Sequence, residues 1–216
     1  MVRDITLNDL WMLLDGLKWT VALSAIAFVG GGVAGLLIAL MRTSSFRAFR
    51  SIAYLYIELF QGTPLLMQLF VIYYGVALIG LDVNAWVAVA IGLTTYASAY
   101  LGEILRGGIN AVPKGQAEAA RALGLSYRHH MLDVVLPQAI KVSLPTTVGF
   151  LVDLIKGTSL VAVIGFTDLT RAGRVVSNNT FQPLVIFAVV GALYFVLCWS
   201  LSTFSRYLEK RMSRGA

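Results

Sequence analysis

The sequence predicts an all-α integral membrane protein of about five transmembrane helices, with its N-terminus outside and its C-terminus in the cytoplasm. Three observations carry this. Of 216 residues, 58% are hydrophobic and only 13% charged, about half the ~25% charged share of a soluble domain. Apolar segments long enough to cross ~30 Å of hydrocarbon recur along the chain. The cations fall mainly on one side of the alternation that these segments create. A net charge of +6 would suit nucleic acid if it were gathered on a soluble basic domain. It is spread over loops between apolar runs, so the expected contact is membrane lipid and no nucleic acid. The single Cys, Cys198, lies inside an apolar run and leaves no disulfide framework. Met1–Lys18 mixes Asp4, Asp9, Asp15 and Lys18 with apolar residues, which does not fit a cleavable signal. Residues 1–15 are read as an extracytoplasmic segment.

The spans are expected at about 19–41, 53–79, 84–105, 143–165 and 183–205. Trp19–Met41 carries no charge. Inside it Gly30-x-Gly32-x-x-Gly35 has the spacing of a dinucleotide fingerprint, but no strand precedes it. Gly31 and Gly35 instead suit close helix packing in lipid. Arg42, Arg47 and Arg50 follow in a short Ser-bearing loop. Glu58, Gln61, Gly62, Thr63 and Pro64 then break or kink the second span near its start, with Glu58 read as an interfacial carboxylate. Leu81–Asn84 makes a turn on the opposite side. The third span ends in Glu103 and Arg106, three apart and able to pair; Tyr96, Ser98 and Tyr100 fall on more than one face and suggest no binding stripe. The fourth span, opened by Pro145, holds Asp153, Lys156, Thr158 and Ser159. Polar groups are costly at that depth, which argues for function; a mutually neutralising Asp153–Lys156 pair is the structural alternative. Residues 166–182 are polar, with Asp168, Arg171, Arg174 and an expected turn at Asn178-Asn179. The fifth span begins around Pro183. Tyr194 and Trp199 are either interface anchors or interior groups. Residues 209–216 form a cationic tail.

Between the third and fourth spans lies a polar loop, 107–141, centred on Gln116–Pro137. Ala117, Ala119, Ala120, Ala122 and Leu123 favour helix. Gly124 is the residue type that closes a helix in the left-handed conformation. Ser126 can cap a second short helix, expected to end before Pro137. His129 and His130 are adjacent, point to different faces, and make a poor metal site. With the N-terminus outside, Arg3, Lys18, Lys156, Arg171 and Arg174 are the only cations not assigned to inside segments, which places this loop in the cytoplasm. No Gly-x-x-x-x-Gly-Lys-Ser/Thr phosphate loop and no nucleophile–base set occur. An enzyme is therefore not expected, and no cofactor or metal is called for.

Glu118-Ala119-Ala120, Gly124, Val134 and Leu136-Pro137 resemble the signature loop of the membrane subunits of binding-protein-dependent ABC importers. The flanks resemble the polar amino-acid permease branch: Glu58 to Pro64, Ala99-Tyr100 with Glu103, Arg106 to Ile109, Gly115-Gln116, Pro137-Gln138 and Lys156 to Leu160. The match covers about Gly16 to Arg211. The resemblance implies a type I ABC importer permease fold over residues 16–208, in the bacterial cytoplasmic (inner) membrane. It implies a coupling loop in which Glu118, Ala119, Ala120, Gly124, Leu136 and Pro137 meet an ABC ATPase on another chain. It also implies an extracytoplasmic solute-binding protein and a second copy or homologous permease subunit. Asp153, Lys156, Thr158 and Ser159 are the candidate solute site, because an amino-acid zwitterion needs an anion for its ammonium and a cation for its carboxylate. The chain departs from the branch at Gly157, Gly149 and Gln61, where Asp, Asn and Arg are common. The solute therefore stays open between a polar amino acid, an opine and a sulfur-containing amino acid. A non-transporting membrane interaction protein is the alternative from another class.

Overall fold

In the computed structural model, residues 3–78, 80 and 84–213 are described; the turn expected at 81–83 and Arg214 fall outside them. All regular structure among the described residues is helical: α1 (Leu7–Thr43), α2 (Arg47–Gln61), α3 (Leu65–Leu78), α4 (Ala85–Ala111), α5 (Lys114–Ala122), α6 (Tyr127–Ala162), α7 (Leu169–Thr180) and α8 (Pro183–Ser213). Helices α1, α4, α6 and α8 are each long and apolar enough to cross a membrane.

Helix α1 starts well before its uncharged stretch, because Thr6 and Asp9 cap it. Asp9 accepts from the Thr6 backbone N–H and from its hydroxyl, both at 2.8 Å, and from Arg3 at 2.6 Å. The Thr6 N–H foremost, with its hydroxyl and Arg3 adding, holds the Asp9 carboxyl below its ordinary value. The helix then runs unbroken through residues 15 and 16. Arg3 is also tied across the outer corner, by Arg3 N–H to Thr180 O at 3.1 Å and Gln182 Nε2 to Arg3 O at 2.8 Å.

Helices α1 and α4 lie side by side on a seam of small residues. A Cβ at Gly31 would stand 2.5 Å from Ala97 Cβ, and one at Gly35 2.9 Å from Gly102 N. The close-packing reading of Gly31 and Gly35 holds, since only glycine lets the backbones approach this far. Gly30 faces Thr94 and Gly35 faces Leu101, so the two helices run in the same direction. Since α1 and α4 are parallel, the chain must return between them, and α2 with α3 makes that return.

The return is broken within the Glu58–Pro64 stretch, where the sequence predicts a break or kink. Helices α2 and α3 are bent by 102° at the break before Leu65. Gln68 staples the break: its Nε2 donates to Phe60 O at 2.7 Å and to Thr63 O at 3.0 Å, taking up carbonyls freed at the end of α2. Tyr56 OH donates to Thr95 O at 3.2 Å and lies 2.6 Å from Ser98 Oγ, fixing α2 against α4.

Two proline expectations are overturned. The helix that Ser126 starts does not end before Pro137, and Pro145 does not open a span; both lie within α6. A π-helical stretch over His130–Val135, in which Leu136 N–H reaches Met131 O five residues back, widens the turn just ahead of Pro137. That takes up the ring which would otherwise strike the carbonyl four residues behind. Gln138 Nε2 donates to Val134 O at 2.8 Å beside it. The outer turn also shifts: Asn178 and Asn179 are helical, and the chain reverses at Phe181, whose φ is 56°. Tyr194 takes the interior role, with its hydroxyl 3.2 Å from Asp168 Oδ2, whereas Trp199 is exposed and stacks on Phe195.

Candidate functional site

The polar loop folds as a hairpin of α5 and the first turn of α6. At its tip Gly124 has φ 71°. Gly124 N–H bonds Arg121 O at 2.9 Å and Leu125 N–H bonds Ala120 O at 3.0 Å, the paired closure in which a left-handed residue ends a helix. Nothing lies within 4 Å of where a Gly124 Cβ would stand, so this glycine is needed for conformation rather than for space. Ser126 caps α6, with its Oγ 2.8 Å from His129 Nδ1.

The six coupling candidates divide into two groups. Ala120 and Leu136 are buried. Leu136 packs with Met131 and Val135 against Leu36, Leu40, Ile109 and Val112, which roots the hairpin on the inner ends of α1 and α4. Glu118, Ala119, Gly124 and Pro137 are exposed. The tip also exposes Leu123, read from the sequence only as a helix former, at 79%, and Tyr127, which the sequence reading did not single out, at 65%, with Arg121 and Arg128 exposed beside them. Large apolar residues flanking a glycine inside a polar segment were the available signal. The tip is therefore apolar and rimmed by cations.

On α6, Asp153 and Lys156 do pair, at 2.7 Å, and both remain open to the surroundings. Thr158 and Ser159 do not join them. Thr158 is fully buried and bonds Ile155 O at 2.7 Å; Ser159 bonds Lys156 O at 2.7 Å. What does gather at Asp153 is aromatic. Tyr96 and Tyr100 meet at 4.7 Å between ring centroids, and Tyr100 stacks on Phe150 at 5.3 Å. The sequence reading saw no stripe at Tyr96, Ser98 and Tyr100. The two tyrosines are four apart and share one face of α4, while Ser98 turns inward to Tyr56. Tyr100, Phe150, Asp153 and Glu209 line a cavity of about 490 Å3. A second cavity of about 260 Å3, reaching Glu103 and Gly107, shares Ile104 and Thr146 with it. Together they form a groove from Asp153 to the inner end of the bundle, where Arg106 Nε holds Glu103 at 2.9 Å, the expected pair.

The outer end is built around Asp168. Its carboxylate caps α7 by accepting from Arg171 N at 2.8 Å and Thr170 N at 3.1 Å, and Leu169 N–H donates to Thr20 Oγ1 at 3.1 Å. Burial pushes the Asp168 carboxyl above its ordinary value, with these bonds opposing. Among the described residues, no three His, Cys, Asp or Glu side chains come together as a metal site.

A parallel α1–α4 pair, a chain return through a broken helix and a polar hairpin between α4 and α6 define a multi-span helical membrane subunit. Residues 31–214 match the family described as binding-protein-dependent transport system inner membrane component, and the chain belongs to it. A probable glutamine ABC transporter permease protein, GlnM of Bacillus subtilis, is 36% identical over 98% of this chain and 98% of its own. The arginine transport system permease protein ArtQ of the same organism is 35% identical over 96% of this chain and 95% of its own. The crystal structure of an amino acid ABC transporter with histidines superposes with a TM-score of 0.86 at 36% identity, over 97% of this chain and 100% of that one.

Proposed function

We propose that this chain is the permease subunit of an ABC importer for polar amino acids in the bacterial cytoplasmic membrane, N-terminus out and C-terminus in. It pairs with a second copy or a homologous subunit, two ABC ATPases and an extracytoplasmic solute-binding protein. The observation that carries this reading is the 114–129 hairpin, rigidly closed at Gly124 and rooted on α1 and α4, so that force applied to its tip reaches the bundle. ATP binding closes the ATPase pair and carries the docked hairpins together, turning the solute cavity outward; hydrolysis resets it.

In this reading Asp153 receives the solute ammonium and Lys156 its carboxylate. Both groups are polar and uncovered within this subunit, a costly position for a span unless they line a solvated path. Tyr96, Tyr100 and Phe150 supply an aromatic wall that suits an ammonium group. The groove from Asp153 to Glu103 is the exit. Thr158 and Ser159 back this pair from the same helix, with their hydroxyls bonded to Ile155 O and Lys156 O. The test is reconstitution into proteoliposomes with candidate ATPase and binding-protein partners, reading uptake and solute-stimulated ATP hydrolysis. Docking of an ATPase without solute-stimulated hydrolysis would leave only the scaffold reading standing.

A further inference from the structure

A cavity of about 360 Å3 opens beside the first turn of α4, between α1 and the loop that follows α6. Three aromatic rings wall it. Trp19 and Trp86 meet edge to face at 4.6 Å between ring centroids, and Trp86 meets Phe166 in the same way at 4.5 Å. Local structure fixes each wall. Asp15 and Trp19 stand four apart and share one face of α1. Trp86 N–H donates to Asn84 Oδ1 at 2.9 Å where α4 begins. The loop turns at Gly165, whose φ is 89°, and Phe166 N–H bonds Val161 O at 3.1 Å, with the Phe166 ring buried.

Asp15 is the only charged side chain among the described residues that line the cavity, and Thr167 adds a hydroxyl. A carboxylate set among aromatic rings is the chemistry that receives an ammonium group: the rings attract the cation and the carboxylate accepts its N–H bonds. The chain makes this contact itself. Lys18 Nζ stands 4.9 Å over the Trp19 ring and 3.8 Å from Asp15. That ion pair is loose and exposed, so the Asp15 carboxylate keeps acceptor capacity for a second cation. At the Gly165 edge an added Cβ would stand 2.9 Å from Arg171 Nη1. Arg171 has no ion-pair partner among the described residues, and a guanidinium there suits an anionic group carried next to the ammonium.

We propose that this cavity binds a primary ammonium group that carries an anion beside it. The ammonium sits between the Asp15 carboxylate and the rings of Trp19, Trp86 and Phe166, with the anion toward Arg171. A free amino acid and a phosphatidylethanolamine headgroup share this chemistry, and the test separates them. The site is distinct from the Asp153–Lys156 groove, with which it shares no lining residue. It goes beyond the permease reading and stands whether or not the chain imports amino acids, because binding is read directly.

The probe is ethanolamine, with uncharged N-acetylethanolamine as its control, titrated into the full chain in phosphatidylglycerol nanodiscs, whose headgroup has no ammonium. Trp11→Phe with Trp199→Phe leaves Trp19 and Trp86, both in the cavity wall, as the only tryptophan reporters. Ethanolamine is expected to change their emission saturably, and the control to leave it unchanged. Asp15→Asn should weaken binding about tenfold, whereas Lys18→Gln should tighten it severalfold by freeing Asp15. Displacement of ethanolamine by free glutamine assigns the site to an amino acid. Displacement by phosphatidylethanolamine added to the nanodiscs assigns it to a lipid headgroup. In either case Arg171→Gln should weaken the competitor and leave ethanolamine unchanged. The proposal is overturned by the lack of a saturable response, by an equal response to the control, by unchanged binding in Asp15→Asn, or by failure of both competitors.

Discussion

The α1–α4 seam and the hairpin tip both depend on glycine, in opposite ways. At Gly31 and Gly35 the backbone is ordinary helix and the space is full: an added Cβ would meet Ala97 Cβ at 2.5 Å or Gly102 N at 2.9 Å. At Gly124 the space is empty and the backbone is unusual, with φ 71°. The seam is over-determined by many neighbours, whereas the tip is held by two backbone hydrogen bonds and a cap. A part that must join the bundle is packed from all sides. A part that must meet a partner is shaped locally and left uncovered.

The largest expected effect is at the seam. Gly31→Leu should prevent α1 from seating on α4, at a cost of at least the ~1–3 kcal/mol of ordinary overpacking. It should read as loss of monodisperse protein in detergent and a lowered melting temperature; a variant as stable as the parent would break the comparison. At the tip the prediction is the reverse, function lost with the fold kept. Gly124→Asp should abolish uptake and solute-stimulated ATP hydrolysis while the subunit stays inserted. Gly124→Asn sharpens it: Asn tolerates the left-handed conformation, so its variant should retain most activity if shape is what the ATPase needs. Equal failure of both would show that the partner requires a bare backbone there.

Smaller effects separate the solute groove from both. Asp153→Asn and Lys156→Gln should each reduce uptake severalfold without lowering the melting temperature, because a solvent-open pair adds about 0–1 kcal/mol to stability. Full uptake in both variants would reject the site. The smallest effect concerns Asp168, which belongs with the packed regions. Its folded-state carboxyl sits above the ordinary 3.8, so over the interval between 3.8 and that raised value the folded protein binds more protons than the unfolded chain. On its account stability rises as pH falls through the folded-state value toward 3.8, and it loses that gain at higher pH. Asp168→Asn, which can still cap α7, should flatten this part of the melting profile; an unchanged profile assigns the dependence to other groups.

How much of this was legible in the sequence follows the same division. Gly31 and Gly35 were readable as packing residues because small-residue spacing in an apolar segment has few other uses. The Glu103–Arg106 and Asp153–Lys156 pairs followed from helical spacing alone. The closure at Gly124 and the cap at Ser126 were readable because both are contacts within a few residues of sequence. The continuation of α6 through Pro137 and Pro145 was not, since a proline reads as a stop unless a widened turn and a neighbouring helix take up its ring. Tyr96 and Tyr100 were missed as a stripe because their common partner, Phe150, lies on another helix.

The sequence by itself determined the helical, membrane-spanning class, the inner placement of the polar hairpin and the local shape of its tip. Those depend on composition, charge asymmetry and short-range hydrogen bonding. Only the tertiary structure decided that α1 and α4 run parallel, that the break expected near Pro64 bends α2 and α3 by 102°, and that Thr158 is buried while Asp153 stays open. It also left Arg171 and Arg174 without an ion-pair partner among the described residues. Each of these is fixed by which helix lies against which, and no local pattern along one chain encodes that.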